Sequence, residues 1–194
     1  MPSSVSKLFG SGAGEFEGRP VLAADEDIPA LWRDRAFDIA CVAIGDNWVR
    51  AQAVHRITGS CPGIPFATLI HPRAVIAESA TLGDGTVVMA GAIVNPAVVV
   101  GSHAILNTNS SVDHDCRVGD FASVAPGAAL GGNVNLGYCA YVGIGAAINH
   151  GITIGDHTVI GAGAAVVRNL DDRVLAMGVP AKPVRSREPD ERYL

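Results

Sequence analysis

One histidine in this chain lies between two carboxylates. The triplet Asp113-His114-Asp115 follows the polar run Asn107-Thr108-Asn109-Ser110-Ser111 and precedes Cys116. A carboxylate that accepts from Nδ1–H fixes the imidazole tautomer, raises its basicity and leaves Nε2 free to take a proton, as a general base must. Gly132 stands eighteen residues after His114, and His150 eighteen after that. Gly131 and Gly132 have no side chains, so a ligand could approach their backbone closely, and the Gly132 N–H could hold a developing oxyanion. The residue types alone also fit a solvated surface histidine and a plain turn at the glycines. Cys41, Cys61, Cys116 and Cys139 show no paired spacing. None has a histidine placed to activate it, so they read as reduced thiols and not as nucleophiles.

What must position these groups is a repeat. An aliphatic residue stands at every sixth position from Ile70 through Ile76, Leu82 and Val88 to Ile160 and Val166. Four residues after each comes a mostly small one, as at Ala74, Ala80, Ala92, Ser110, Cys116 and Ala128. A period of six fits neither an α-helix nor a simple strand. It fits a left-handed parallel β-helix of about six coils, each coil built from three short flat strands, with the aliphatic residue inward. Eighteen residues then make one coil, and successive coils stack about 4.8 Å apart. His114, Gly132 and His150, all third residues of their hexads, therefore lie in register up one edge.

The chain divides into residues 1–68, a small truncated α/β domain; 69–171, the β-helix; and 172–194, a C-terminal loop and charged tail. In the first domain, residues 37–45 read as a buried strand ending in a glycine turn. Residues 46–59 read as an amphipathic helix with Trp48, Ala51, Val54 and Ile57 on one face. Residues 64–69 read as a second strand, giving a βαβ unit. Residues 25–35 read as an earlier helix opened by Asp25 or Asp27.

The formal net charge is −5 over 194 residues, with no basic run, which argues against a nucleic-acid partner. No apolar run is long enough for a membrane span, and residues 1–18 are polar and glycine-rich without a signal-peptide core. A cytoplasmic location follows as the expectation.

The segments Thr68-Leu69-Ile70-His71-Pro72, Asn107 to Cys116, Val124-Ala125-Pro126-Gly127-Ala128 and Gly178-Val179-Pro180-Ala181-Lys182 carry a resemblance. Over about residues 20–185 the chain resembles the left-handed β-helix acetyltransferases, specifically the sialic-acid O-acetyltransferase and nucleotide-amino-sugar N-acetyltransferase group. The resemblance implies a homotrimer with active sites between neighbouring β-helices, acetyl-CoA as co-substrate, a sugar or nucleotide-sugar acceptor, and no metal. It implies His114 as base, Asp115 as its carboxylate partner and Gly132 as the amide that meets the thioester carbonyl. Ile144, Gly145, Gly161, Ala162 and Gly163 match the stretch lining the pantetheine, and Pro180, Ala181 and Lys182 the segment near the CoA nucleotide. Asn107 matches a polar position near the sugar, with Asp113 and Ser123 as further acceptor contacts.

Two features depart from the pattern. Relatives begin with an apolar strand and a histidine-containing glycine turn that helps bind the nucleotide. Here Gly10-Ser11-Gly12-Ala13-Gly14 reads as a flexible leader, with the first half of the α/β domain missing. Many relatives also carry a histidine where Ser123 stands. Three other readings compete: O-acetylation of a sugar or small acceptor, a catalytically silent scaffold, and a metal site like that of the γ-type carbonic anhydrases. The last would need a histidine five residues after His150, where Gly155 stands.

Overall fold

The structure, a computed structural model, describes residues 19–192 together with two earlier strands, β1 (Leu8–Phe9) and β2 (Gly14–Phe16). Most of the glycine-rich stretch read as a leader, residues 10–13, lies outside the described residues. The chain forms two compact units, Met1–Ala40 with Ala53–Phe66, and Cys41–Gln52 with Ala67–Leu194.

In the first unit, β1 and β2 flank β3 (Arg19–Ala23), parallel and antiparallel respectively. Helix α1 (Ile28–Arg33) follows a single 3-10 turn at Asp25–Asp27, and Pro29 lies in its first turn, where no N–H is required. Ile28, Cys61 and Ile64 form the core, with Trp32, Phe37, Ile57 and Phe66 packed around them.

The reading of residues 37–45 as a buried strand needs correction. Only one parallel bridge, Ala40 to Phe66, survives of it, and Ile39 and Cys41 are exposed. The reason lies further along. The carbonyls of Ile44 and Gly45 accept from the Arg50 guanidinium at 2.8 and 3.0 Å, so they have a partner without a neighbouring strand.

The second unit is the β-helix, built from seventeen two-residue strands. A first face stacks Leu69–Ile70, Val87–Val88, Ile105–Leu106, Ser123–Val124, Tyr141–Val142 and Val159–Ile160. A second stacks Val75–Ile76, Ile93–Val94, Ser111–Val112, Ala129–Leu130, Ala147–Ile148 and Ala165–Val166. A third runs from Thr81–Leu82 to Thr153–Ile154. All pairs are parallel with an eighteen-residue register, as in Ser111 opposite Ala129. The aliphatic column is buried from Val88 to Val166 with the small column between its members. Leu69–Ile70 is the end strand of its sheet, paired on one side only, and Ile70 is half exposed.

The corners give the repeat its polar chemistry. From Gly85 to Gly163 the residue closing each turn takes a left-handed φ, +59° at Asp115 and Asn133 and +64° at Gly145. The chain therefore reverses within two residues and points the preceding side chains outward. A C-terminal hairpin, Val174–Gly178 with Ala181–Ser186, extends the first face beyond Val159–Ile160.

The first face is also held by a polar staple. Helix α2 (Asn47–Ser60) starts where Asp46 Oδ1 accepts from the Val49 N–H. Arg50, 1% exposed, donates from Nε to the His103 carbonyl and from its terminal nitrogens to the Phe121 carbonyl, Asn47 Oδ1 and Ser123 Oγ. Asn47 Nδ2 donates to the Cys139 and Ala140 carbonyls. Three successive coils are thereby tied to one helical turn. Replacing Arg50 with alanine is expected to cost more than about 3 kcal/mol in urea unfolding, because several buried acceptors lose their donor at once. A cost below about 1 kcal/mol would mean that water takes over those acceptors.

Candidate functional site

The turn after Ser111–Val112, at the corner between the second and third faces, carries Asp113, His114 and Asp115. The left-handed turn at Asp115 brings its carboxylate back onto the preceding ring, and His114 Nδ1 and Asp115 Oδ2 are 2.8 Å apart. Both side chains are 54% exposed. With Asp115 accepting, Nδ1 carries the proton and Nε2 presents its lone pair. The imidazole titrates above its ordinary range, first because of the Asp115 hydrogen bond and then because of the Asp113 charge.

The ring leans toward the next coil and lies against Gly132. A Cβ at Gly132 would come within 2.7 Å of His114 Cε1 and Nε2. The backbone around it is fixed: the Asn133 N–H donates to the His114 carbonyl, and the Gly151 N–H to the Gly132 carbonyl. One N–H behaves differently in the two coils. That of His114 donates to Asp113 Oδ1 at 2.8 Å. One coil up, Gly131 replaces Asp113 and has no side chain, so the Gly132 N–H donates to no group among the described residues. An open donor thus stands beside the base.

The other sequence-derived candidates divide between two places. Asn107, Ile144, Gly145, Gly161, Ala162 and Gly163 stack on the corner between the first and second faces. There the Gly163 N–H donates to the Ile144 carbonyl, and Ile144 projects outward, 58% exposed. The C-terminal hairpin adjoins this corner: the Gly161 N–H donates to the Ala176 carbonyl, and a Cβ at Gly161 would meet Met177 Cγ at 2.9 Å. Pro180, Ala181 and Lys182 sit at the hairpin's turn, opposite Gly178 and Met177. Within one chain this corner and that of His114 are separated by the second face. Ser123 lies on the first face, buried, its hydroxyl donating to Asn47 Oδ1 at 2.6 Å; the structure does not bring it to His114. Asp113 is beside His114, and it accepts from Asn95 Nδ2, a residue that sequence reasoning passed over although it stands eighteen positions earlier.

Burial holds the Cys116 thiol up and pushes Cys139 to about 12, so neither is poised as a thiolate. Among the described residues no group of three His, Cys, Asp or Glu side chains could hold a metal ion, and no helix is long and apolar enough to cross a membrane.

No family model matches the chain. Over 84 residues it is 41% identical to UDP-N-acetylbacillosamine N-acetyltransferase of Bacillus subtilis, a stretch covering 43% of this chain and 36% of that enzyme. A solved structure of a histidine-to-alanine mutant of GDP-perosamine N-acetyltransferase from Caulobacter crescentus, in complex with CoA and GDP-perosamine, is 42% identical with a TM-score of 0.83. That match covers 87% of this chain and 79% of that one. The acetyltransferase domain of PglB from Neisseria gonorrhoeae, in complex with acetyl coenzyme A, is 36% identical with a TM-score of 0.84, covering 91% and 84%.

Proposed function

The chain belongs to the β-helical N-acetyltransferases of nucleotide-linked amino sugars, and from that premise we infer that it transfers an acetyl group from acetyl-CoA to the amino group of such a sugar. The observation that carries this reading is the His114 imidazole, its Nδ1 on Asp115 and its Cε1–Nε2 edge against Gly132, whose N–H donates to no group among the described residues.

The sugar amine attacks the thioester carbonyl directly. As the C–N bond forms, the amine proton passes to His114 Nε2 and the carbonyl oxygen gathers charge, which the Gly132 N–H receives. The tetrahedral intermediate collapses by breaking the C–S bond, and CoA leaves as the thiolate, to which the imidazolium can return the proton. No covalent enzyme intermediate is required.

The rest of the reading is assigned by position. The donor's pantetheine runs along Ile144, Gly145, Gly161, Ala162 and Gly163, where missing or small side chains leave backbone in reach, and its nucleotide lies by Pro180, Ala181 and Lys182. Asn107 and Asp113 face the acceptor. Ser123, committed to Asn47, is better read as part of the staple. The homotrimer implied by the resemblance is supported by the second face, whose outward residues Val75, Ile93, Ser111, Ala129, Ala147 and Ala165 are mostly apolar, with Val75 62% exposed. Turned toward a threefold axis, that face would bury its apolar surface and set the His114 corner of one copy against the Ile144 corner of the next. A donor made for intracellular use and four unpaired cysteines fit a cytoplasmic location.

The test is thiol release from acetyl-CoA against UDP-, GDP- and dTDP-linked 4-amino sugars, sialic acid and simple amines. Turnover with one nucleotide amino sugar is the expected result. Clear acetyl-CoA binding with turnover only on a hydroxyl acceptor would replace N- by O-acetylation, and turnover with nothing would end the enzymatic reading.

A further inference from the structure

The turn that carries His114 is held by one carboxylate oxygen on which two donors converge. Each corner of the β-helix has backbone bonds to its neighbours, and this one is no exception: the Asp115 N–H donates to the Pro96 carbonyl, and the His114 carbonyl accepts from Asn133. Two side-chain bonds are added to these. Asp113 Oδ1 accepts from the His114 N–H at 2.8 Å, and the same oxygen accepts from Asn95 Nδ2 at 3.1 Å, from the coil below. An ionised carboxylate accepts only, so two donors converging on one oxygen define its place. From the coil above, the Leu130 carbonyl accepts from the Asp113 N–H, but no side chain reaches the Asp113 carboxylate among the described residues, because the equivalent residue there is Gly131.

We propose that Asn95 is a positioning residue for the transfer: it holds the Asp113 carboxylate on the His114 N–H and so sets where the imidazole stands over Gly132. This rests on the reading of His114 as the base. Asn95 touches neither the reacting atoms nor the corner of Ile144, so its effect belongs in kcat and in the titration of His114. Asp113 and Asp115 are the charged groups that face the ring. The coil below presents Asn95 and Pro96, and the coil above presents Gly131, Gly132 and Asn133, all uncharged. Glu78 and His150 stand two coils away on the same corner.

The experiment combines steady-state kinetics with an NMR titration of the His114 imidazole. Asn95→Ala is expected to lower kcat about tenfold, as a small misplacement of a catalytic group does, with the KM for acetyl-CoA within about twofold of wild type. His114 should titrate at lower pH in this variant, because the Asp113 charge is no longer held beside it. Asn95→Asp sets two carboxylates against each other and should be slower still. Combining Asn95→Asp with Asp113→Asn restores an amide–carboxylate bond between the coils and should recover most of that loss. Wild-type kcat and an unmoved titration in Asn95→Ala would overturn the proposal. So would a loss of thermal stability with both KM values raised and the titration unchanged, which marks a purely structural role. The titration needs no turnover. A His114 that responds to Asn95 in a protein that acetylates nothing would sink the proposed function while leaving the positioning intact.

Discussion

Replacing His114 with asparagine is expected to lower the acetyl-transfer rate by about 10²–10⁴-fold while leaving acetyl-CoA binding near wild type. The amine must shed a proton as it bonds to the acetyl carbon, and the imidazole is the basic group that the turn places beside the open amide of Gly132. The pH dependence carries the finer test. A general base works only when deprotonated. The Asp115 hydrogen bond and then the Asp113 charge hold the imidazole above its ordinary range, so the rate should begin to fall at a higher pH on acidification than for an unperturbed histidine. Asp115→Asn removes the larger cause. Its acid limb should move to lower pH, and its plateau should also drop, because the tautomer is no longer fixed and the base is weaker. A His114→Asn protein that keeps most of the wild-type rate would end the general-base role. An acid limb that moves in Asp113→Asn but not in Asp115→Asn would transfer the partner's role to the other carboxylate.

Why this site could be read from the sequence, and parts of its setting could not, follows from the kind of interaction each depends on. A solenoid is periodic, so position in the hexad fixes direction. His114 and Gly132 had to share a corner once a period of eighteen was accepted, and the left-handed turn at Asp115 brings its carboxylate onto the ring from the next position in sequence. The breaks in the pattern are where sequence reasoning stopped. Ser123 bonds to Asn47 across a separation of 76 residues, and from one helical turn Arg50 reaches two coils and Asn47 a third. Buried polar clusters have no period to betray them. An apolar-face reading of α2 finds Ala51 and Val54 but passes over the two polar residues that anchor it. The same cluster explains the misread strand before Gly45, whose hydrophobic run looked like a ladder partner while its last carbonyls were already taken. The open N–H of Gly132 lies between these cases. Gly131 is visible in the sequence. That its missing side chain frees an amide becomes apparent only from the bond that Asp113 makes one coil below.

That freed amide leads to the second large effect. Gly132→Ala should fold normally, because the φ of Gly132 lies outside the left-handed region where a side chain is strained, and its flanking backbone bonds are unaffected. The added methyl, however, would sit 2.7 Å from Cε1 and Nε2 of His114, a contact that real side chains do not make. The ring is the part that can move, being exposed and attached by a rotatable bond, whereas the coil above and below is fixed. Its displacement separates the base from the amide that should receive the oxyanion and crowds the approach to that amide. A loss of about 10²–10³-fold in kcat is expected, of the size seen when one oxyanion donor is removed, with an unchanged melting temperature. Combining Gly132→Ala with His114→Asn distinguishes the two halves of the damage. If the methyl acts only by pushing the ring, it should cost little once the imidazole is gone; a further loss of tenfold or more in the double variant would mean that the Gly132 amide stabilises the transition state independently of His114. A single Gly132→Ala variant with wild-type kcat would show that the imidazole does not need its observed position and that the oxyanion is held elsewhere.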